Sequence, residues 1–179
     1  ANYIAHSLKH KFKILYKGKN NFVAHECILD FRDLKSKTGL SVNDLAKRLI
    51  DYSFHAPTIS WPVPETIMIE PTESESLAEL DRFCEAMLLI GEEISEIENN
   101  IELNNNNVIS NAPHTLKELI SDNWHYPYSK EKASFPYKTP TTIKFWSSVS
   151  RINNAYGDRN LICSCNVNQG ETLEEKKCA

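Results

Sequence analysis

Thr66-Ile67-Met68-Ile69-Glu70-Pro71, running on into Thr72-Glu73-Ser74-Glu75-Ser76-Leu77-Ala78-Glu79-Leu80, is the stretch that decides the fold. Its first six residues are a short apolar run closed by a proline, the mark of a central strand. Ser76 and Glu79 have the S-x-x-E spacing of a capping box, in which each side chain satisfies an orphan amide of a helix's first turn. Leu77, Leu80, Cys84, Met87, Ile94 and Ile97 then recur near helical spacing to about Asn99. Such a stripe is core material. A strand leading straight into a long amphipathic helix needs sheet neighbours for the one and a sheet face for the other.

The neighbours lie upstream. Phe12 to Lys17 and Phe22 to Phe31 read as two strands, and Gly18-Lys19-Asn20-Asn21 between them tolerates the positive φ of a tight reversal. Along the second run His25, Cys27, Leu29 and Phe31 share one face, while Glu26, Ile28, Asp30 and Arg32 share the other. Gly39 closes the next loop. Ser41 then opens a helix to about Tyr52, with Asp44 in its first turn and Val42, Leu45, Ala46 and Leu49 as its buried stripe. Phe54 to Pro64 carries Pro57, Pro62 and Pro64, so it is expected to be stiff and irregular. At the start, Ala1, Ile4, Ala5 and Leu8 have helical spacing with no capping residue ahead, as in the last turns of a helix begun upstream or a frayed terminus left when a starting Met is removed ahead of Ala1.

Downstream the pattern loosens. Asn99 to Asn111 is Asn-rich, has little to bury and reads as a mobile loop. A short helix is expected around Thr115 to Ser121, then an aromatic and proline-rich stretch from Trp124 to Tyr137. Phe145 to Val149 is apolar, and Tyr156-Gly157-Asp158-Arg159 reads as a turn leading into Leu161-Ile162-Cys163. The order hairpin, helix, strand, long helix and irregular tail predicts an α+β fold, a small mixed or antiparallel sheet with helices packed on one face. The expected division is 1–10 the end of an interdomain helix, 11–100 the α+β small domain, 101–113 the Asn-rich loop, 114–165 a C-terminal extension packed on the domain, and 166–179 a disordered tail.

Composition narrows the function. The chain has 179 residues with 41% hydrophobic and 25% charged content, ordinary for a folded domain. A net charge of -4 and a pI near 5.9 give no footprint for nucleic acid. No apolar run approaches the ~20 residues that cross a bilayer, and no signal-peptide pattern is read at the start. Five cysteines, Cys27, Cys84, Cys163, Cys165 and Cys178, are odd in number and unevenly spread, which fits a reducing compartment better than a disulfide framework. No dinucleotide or P-loop glycine motif occurs among five glycines, and there is no G-x-S-x-G.

Candidate chemistry is sparse. Cys163-Ser164-Cys165 has one intervening residue, too few for a usual zinc pair. A vicinal redox pair, a single reactive thiol and partly buried cysteines at a strand end all fit, the last most simply. Glu70, Glu73 and Glu75 are close in sequence, but carboxylates before a helix are stabilised by its dipole. No metal site is assigned. Phe54-His55-Ala56-Pro57-Thr58-Ile59-Ser60-Trp61-Pro62 stands out: a loop stiffened by prolines that still carries His, Thr, Ser and Trp is suited to present them. Trp61 could equally cover the core.

Val23-Ala24-His25-Glu26-Cys27-Ile28-Leu29-Asp30, Phe54-His55-Ala56-Pro57-Thr58, Met68-Ile69-Glu70-Pro71-Thr72-Glu73-Ser74-Glu75, Asn111-Ala112-Pro113-His114 and Asn154-Ala155-Tyr156-Gly157-Asp158-Arg159-Asn160-Leu161 share a further property. Together, and in this order, they resemble the C-terminal segments of glycine decarboxylases, the P-proteins of the glycine cleavage system. The resemblance runs from Ala1 to about Cys165. It implies the C-terminal small domain of a fold-type-I pyridoxal-phosphate enzyme, packed on a cofactor-bearing domain that precedes it. In that family a lysine of the larger domain holds the cofactor, whose ring acts as an electron sink when glycine loses CO2. The aminomethyl group then passes to the lipoyl arm of the H-protein.

The family's lysine-bearing segment has no counterpart in these 179 residues, so no Schiff-base lysine is assigned. Small domains of such enzymes close one side of the site and often supply a carboxylate-binding arginine, for which Arg32 and Arg159 are the candidates. His25 and His55 are candidate proton donors or phosphate contacts, Thr58 a substrate-side contact, and Cys163 a redox-sensitive thiol. The implied partners are the upstream domain, glycine and lipoylated H-protein in a homodimer or heterotetramer, with no nucleic acid and no membrane. The implied compartment is the bacterial cytoplasm, or else the mitochondrial matrix. The rival readings are a non-catalytic binding or regulatory α+β module and a split subunit active only as a heteromer.

Overall fold

The computed structural model describes residues 1–99, 105–137 and 144–162. Four strands, β1 (Lys13–Leu15), β2 (Cys27–Asp30), β3 (Thr58–Ile59) and β4 (Thr66–Ile69), form one antiparallel sheet in the order β1-β2-β4-β3. The apolar run before Pro71 is thus a central strand, as its sequence predicts. Register puts Cys27 opposite Ile69, Leu29 opposite Ile67 and Ile14 opposite Leu29. These five side chains share one face and all join the main core. The helices α1 (Asn2–Leu8), α2 (Leu34–Thr38), α3 (Val42–Asp51) and α4 (Leu77–Glu98) supply that core's other wall. The result is the predicted α+β layer, with helices packed on one face of an antiparallel sheet; on the other face Ile28, Thr66 and Met68 are buried as well.

Four sequence expectations change in detail. The hairpin exists, but its connection runs from Tyr16 to Glu26. Residues 22–26 stay out of the ladder because Asn2 takes both backbone groups of Val23, at 2.8 and 2.9 Å. Positive φ falls on Tyr16, Asn20 and Asn21, whereas Gly18 has φ -80. Residues 54–64 are not wholly irregular. Thr58 and Ile59, clear of the flanking prolines, keep free amides and pair with β4 as an edge strand.

The capping box at Ser76 is half formed. Ser76 Oγ accepts from the Glu79 amide at 3.2 Å, but the Glu79 carboxylate turns to Arg82. Leu77 also stays exposed, so the buried stripe of α4 starts a turn later. Finally, the Tyr156-Gly157-Asp158-Arg159 string is not a turn. It lies in α7 (Asn154–Arg159), whose cap Asn153 accepts from the Tyr156 amide at 3.0 Å.

The Asn-rich stretch buries more than its composition suggests. Residues 100–104 lie outside the described part, but Asn107, Val108 and Ile109 are fully enclosed. The Asn107 side chain accepts from the amides of Ile109 and Ser110 at 3.0 and 2.9 Å, a local turn that lets Val108 and Ile109 enter the core. Two short helices follow, α5 (Leu116–Ile120) and α6 (Lys130–Ser134). Of these, α5 is the one predicted, and it carries a full capping box between Thr115 and Glu118.

Candidate functional site

The proline-stiffened loop comes to rest against the end of the sheet. Phe54 stacks edge-on against Phe83 of α4, centroids 5.2 Å apart, and the Arg82 guanidinium carbon lies over the Phe54 ring, 3.7 Å from its centre. Arg82 is fixed in turn by a fork to Glu79 and a bond to the Tyr52 carbonyl at 3.1 Å. A guanidinium so held pins the aromatic ring. His55, Ala56, Pro57 and Thr58 then project past the pinned ring.

They line a pocket of about 420 Å³ with Ile4, Met68, Ile69, Glu70, Pro71, Glu75, Glu79, Leu80 and Phe83. Its walls are apolar and aromatic. Its polar groups are one imidazole, one hydroxyl and three carboxylates, with no lysine or arginine among the lining residues. Hydrogen bonding from Arg82 lowers the Glu79 pKa, so that carboxylate is ionised at neutral pH.

The candidate residues sort clearly. His55 and Thr58 meet in this pocket, and Glu70 joins them. His25 sits at the same end of the sheet, largely exposed, its Nε2 3.5 Å from a Glu26 carboxylate oxygen and near Glu70. Arg32 is elsewhere and already engaged. Its Nε and Nη2 grip Asp30 at 2.8 and 2.7 Å, which holds the Asp30 carboxyl well below its usual range. Arg159 is exposed in the last turn of α7 and does not line the pocket. Cys163 lies outside the described residues. The described cysteines, Cys27 and Cys84, are buried and free; burial pushes the Cys27 thiol up to about 11 and raises that of Cys84, so neither is an activated nucleophile.

A second cluster had no place among the sequence candidates. Arg48, on α3, has no exposed surface and grips Glu93 of α4 through Nε at 3.0 Å and Nη2 at 2.6 Å. Its Nη1 donates to Asp51 and to the Ala133 carbonyl at 2.9 and 2.7 Å. Asp51 also accepts from the amide and Nδ1 of His114, both at 2.8 Å. With Nδ1 donating, His114 Nε2 accepts from Tyr128 at 2.8 Å. Trp124, Tyr126 and Tyr128 surround that imidazole at centroid distances of 5.6–6.2 Å. Burial opposes the charge on Arg48, but Glu93 and Asp51 outweigh it and keep the guanidinium protonated. This network ties residues 112–135 to α3 and α4. Its signal in the sequence was a charge on an apolar stripe: Arg48 falls between Leu45 and Leu49, and Glu93 beside Ile90 and Ile94.

Residues 1–114 match the family described as glycine dehydrogenase, C-terminal domain. The chain belongs to the glycine dehydrogenase family. Its similarity to whole members extends past residue 114. A glycine dehydrogenase (decarboxylating) from Prochlorococcus marinus strain NATL1A is 59% identical over 165 residues, 92% of this chain but 17% of the relative. The protein of that name from Thermosynechococcus vestitus is 56% identical over 167 residues, 93% of this chain and 18% of its own. A mitochondrial one from Dictyostelium discoideum is 57% identical over 167 residues, again 92% and 17%. The chain therefore spans about a sixth of the length of these relatives.

The family-like strings divide by task in this glycine dehydrogenase domain. Phe54–Thr58 and Met68–Glu75 build the pocket, whereas Asn111–His114 closes the buried network. No helix of the described residues is long and apolar enough to cross a membrane. Pyridoxal phosphate, the cofactor that glycine dehydrogenase resemblance implies, requires a lysine amine for its aldehyde and cations or free amides for its phosphate. The pocket's three carboxylates and lack of a lysine or arginine do not fit it.

Proposed function

We propose that this chain is the C-terminal domain of a glycine dehydrogenase (decarboxylating), and that it walls one side of the cavity where glycine loses CO2. The observation that carries this reading is the convergence of Phe54–Thr58 and Met68–Glu75 on one open pocket. Pyridoxal phosphate is anchored by a lysine of the preceding part of the polypeptide, and lipoylated H-protein accepts the aminomethyl group. The whole enzyme is a homodimer or heterotetramer, and it works in a bacterial cytoplasm or a mitochondrial matrix.

The chemistry of the wall follows from its groups. Of the three carboxylates, Glu79 is neutralised by its fork to Arg82; among the described residues no lysine or arginine pairs with Glu70 or Glu75, and these two attract an ammonium and repel a carboxylate. The pocket therefore faces the amino end of glycine and the aminomethyl group it becomes, leaving the substrate carboxylate to cations on the opposite wall. The His55 imidazole and the Thr58 hydroxyl are the groups placed to handle protons there. The apolar side chains of Ile4, Phe54, Pro57 and Phe83 offer water no hydrogen bonds along that part of the wall.

Reconstitution tests the proposal. The chain and the cofactor-bearing remainder are purified separately, and release of labelled CO2 from glycine is measured with H-protein present. Neither part alone should turn over, and the mixture should. Glycine turnover by the chain alone, or full activity of the remainder without it, would end this reading.

A further inference from the structure

His25, Glu26 and Glu70 bring three metal-ligating side chains together at one end of the central strand pair. Each offers one ligand atom, and these atoms all lie within 4.8 Å of one another. Within the cluster, His25 Nε2 and Glu26 Oε2 are 3.5 Å apart. Two ligands bound at ~2.0–2.2 Å to a single ion stand roughly 3–4 Å apart. Small rotations of the exposed His25 and Glu70 side chains close the difference.

The register explains why the carboxylates meet. Cys27 opposes Ile69 across β2 and β4, so Glu26 and Glu70 stand beside each other one step beyond the ladder. Like charges so placed destabilise a strand pair. Among the described residues no lysine or arginine forms an ion pair with either carboxylate, and the group that reaches Glu26 is the imidazole of His25. The chain bends at His25, which lets it share a side with its neighbour Glu26. Two carboxylate oxygens and an imidazole nitrogen form a donor set of intermediate softness, suited to Mn²⁺, Fe²⁺, Co²⁺ or Zn²⁺.

We propose that His25, Glu26 and Glu70 form a binding site for one divalent transition-metal ion. Three protein ligands leave coordination positions open to water or to an oxygen-bearing ligand. Because Glu70 also lines the 420 Å³ pocket, the ion sits at that pocket's mouth. The site rests on these three residues alone; an ion held there would also neutralise Glu70 in the pocket wall, so its test reads metal binding and not glycine turnover.

The test is a Mn²⁺ titration of the full chain, following the free aqua-ion signal by electron paramagnetic resonance, then displacement by Zn²⁺. Cys163, Cys165 and Cys178 are replaced by Ser throughout, so that thiols cannot supply the site. One equivalent should bind saturably and raise the melting temperature. His25→Gln and Glu70→Gln should each weaken binding by at least about tenfold, since even losing a group behind a ligand costs about that much. Far-ultraviolet circular dichroism checks that each variant is folded, and Glu26→Gln replaces any that is not. No saturable binding at millimolar Mn²⁺, or folded variants that bind like the parent, would overturn the assignment.

Discussion

Arg48 and Glu93 face each other across the α3–α4 contact as a forked pair, 3.0 and 2.6 Å long, inside the protein. Asp51 shares the same guanidinium and passes the connection to His114. Removing Arg48 would leave two buried carboxylates without their cation, the costly way to break such a pair. Arg48→Met is expected to lose about 3–5 kcal/mol of unfolding free energy in urea. Arg48→Met with Glu93→Leu and Asp51→Asn should recover part of it, because the stranded charges go too. A single variant as stable as the parent would show that the network carries no such load.

Lys144 gives a pH prediction. Its ammonium donates to the Asp51 carbonyl, and burial lowers its pKa from the usual 10.5 to about 8. Between about 8 and about 10.4 the unfolded chain holds this proton and the folded chain does not, so stability gains from rising pH across that window. Below it, burying the charge costs its full amount. Lys144→Met should therefore compare most favourably with the parent at pH 7 and lose ground steadily toward pH 10.5. Tyrosine titrations occur in both proteins and cancel in the difference. A difference in urea stability that does not change with pH would refute it.

What the sequence revealed and what it hid divide along the periodicity of its segments. The central strand and long helix were legible because an apolar run stopped by Pro71 and a stripe at helical spacing are local patterns. The pocket was half legible: three prolines around His55 and Thr58 marked a presenting loop, but Glu70 read as a helix-dipole partner. Only the fold shows that β4 carries Glu70 to the mouth formed by that loop. The Arg48 network was opaque because its partners stand 3, 45 and 63–66 residues apart along the chain. Val108 and Ile109 were hidden by neighbouring asparagines, one of which turned the chain inward. Hydrophobic patterning reports a face; it does not report which distant groups will meet behind it.

Gly91 marks the closest approach between the α1–β1 connection and α4. A Cβ there would stand 2.7 and 2.9 Å from the Lys11 side chain and 3.0 Å from the Phe12 ring. Lys11 can swing away by giving up its 2.8 Å bond to Ser95, but Phe12 is buried against Phe31. Gly91→Val is expected to cost about 1–3 kcal/mol, the range for overpacking. Gly91→Ala should lose less, since alanine regains about 1 kcal/mol of helix propensity. Urea midpoints at unchanged slope are the measurement, and a valine variant matching the parent would show the contact to be soft.

Arg32 and the pocket residues make opposite predictions in a complete glycine dehydrogenase. Arg32 spends its fork on Asp30 within one bend of chain, leaving no two-pronged grip for a substrate carboxylate. Arg32→Lys is therefore expected to leave the glycine KM unchanged, although lysine cannot reproduce the fork. His55→Ala should instead lower kcat/KM by about 10²–10⁴-fold if its imidazole moves a proton in the rate-limiting step. Its fall should be accompanied by loss of one limb of the pH profile, which a merely structural residue would not remove. Thr58→Ala separates binding from chemistry: a raised KM at constant kcat identifies a contact made equally before and during the reaction. Should Arg32→Lys raise the glycine KM while His55→Ala leaves the pH profile intact, the substrate would lie at the Asp30 end of the sheet, and the pocket beside Phe54 would be packing alone.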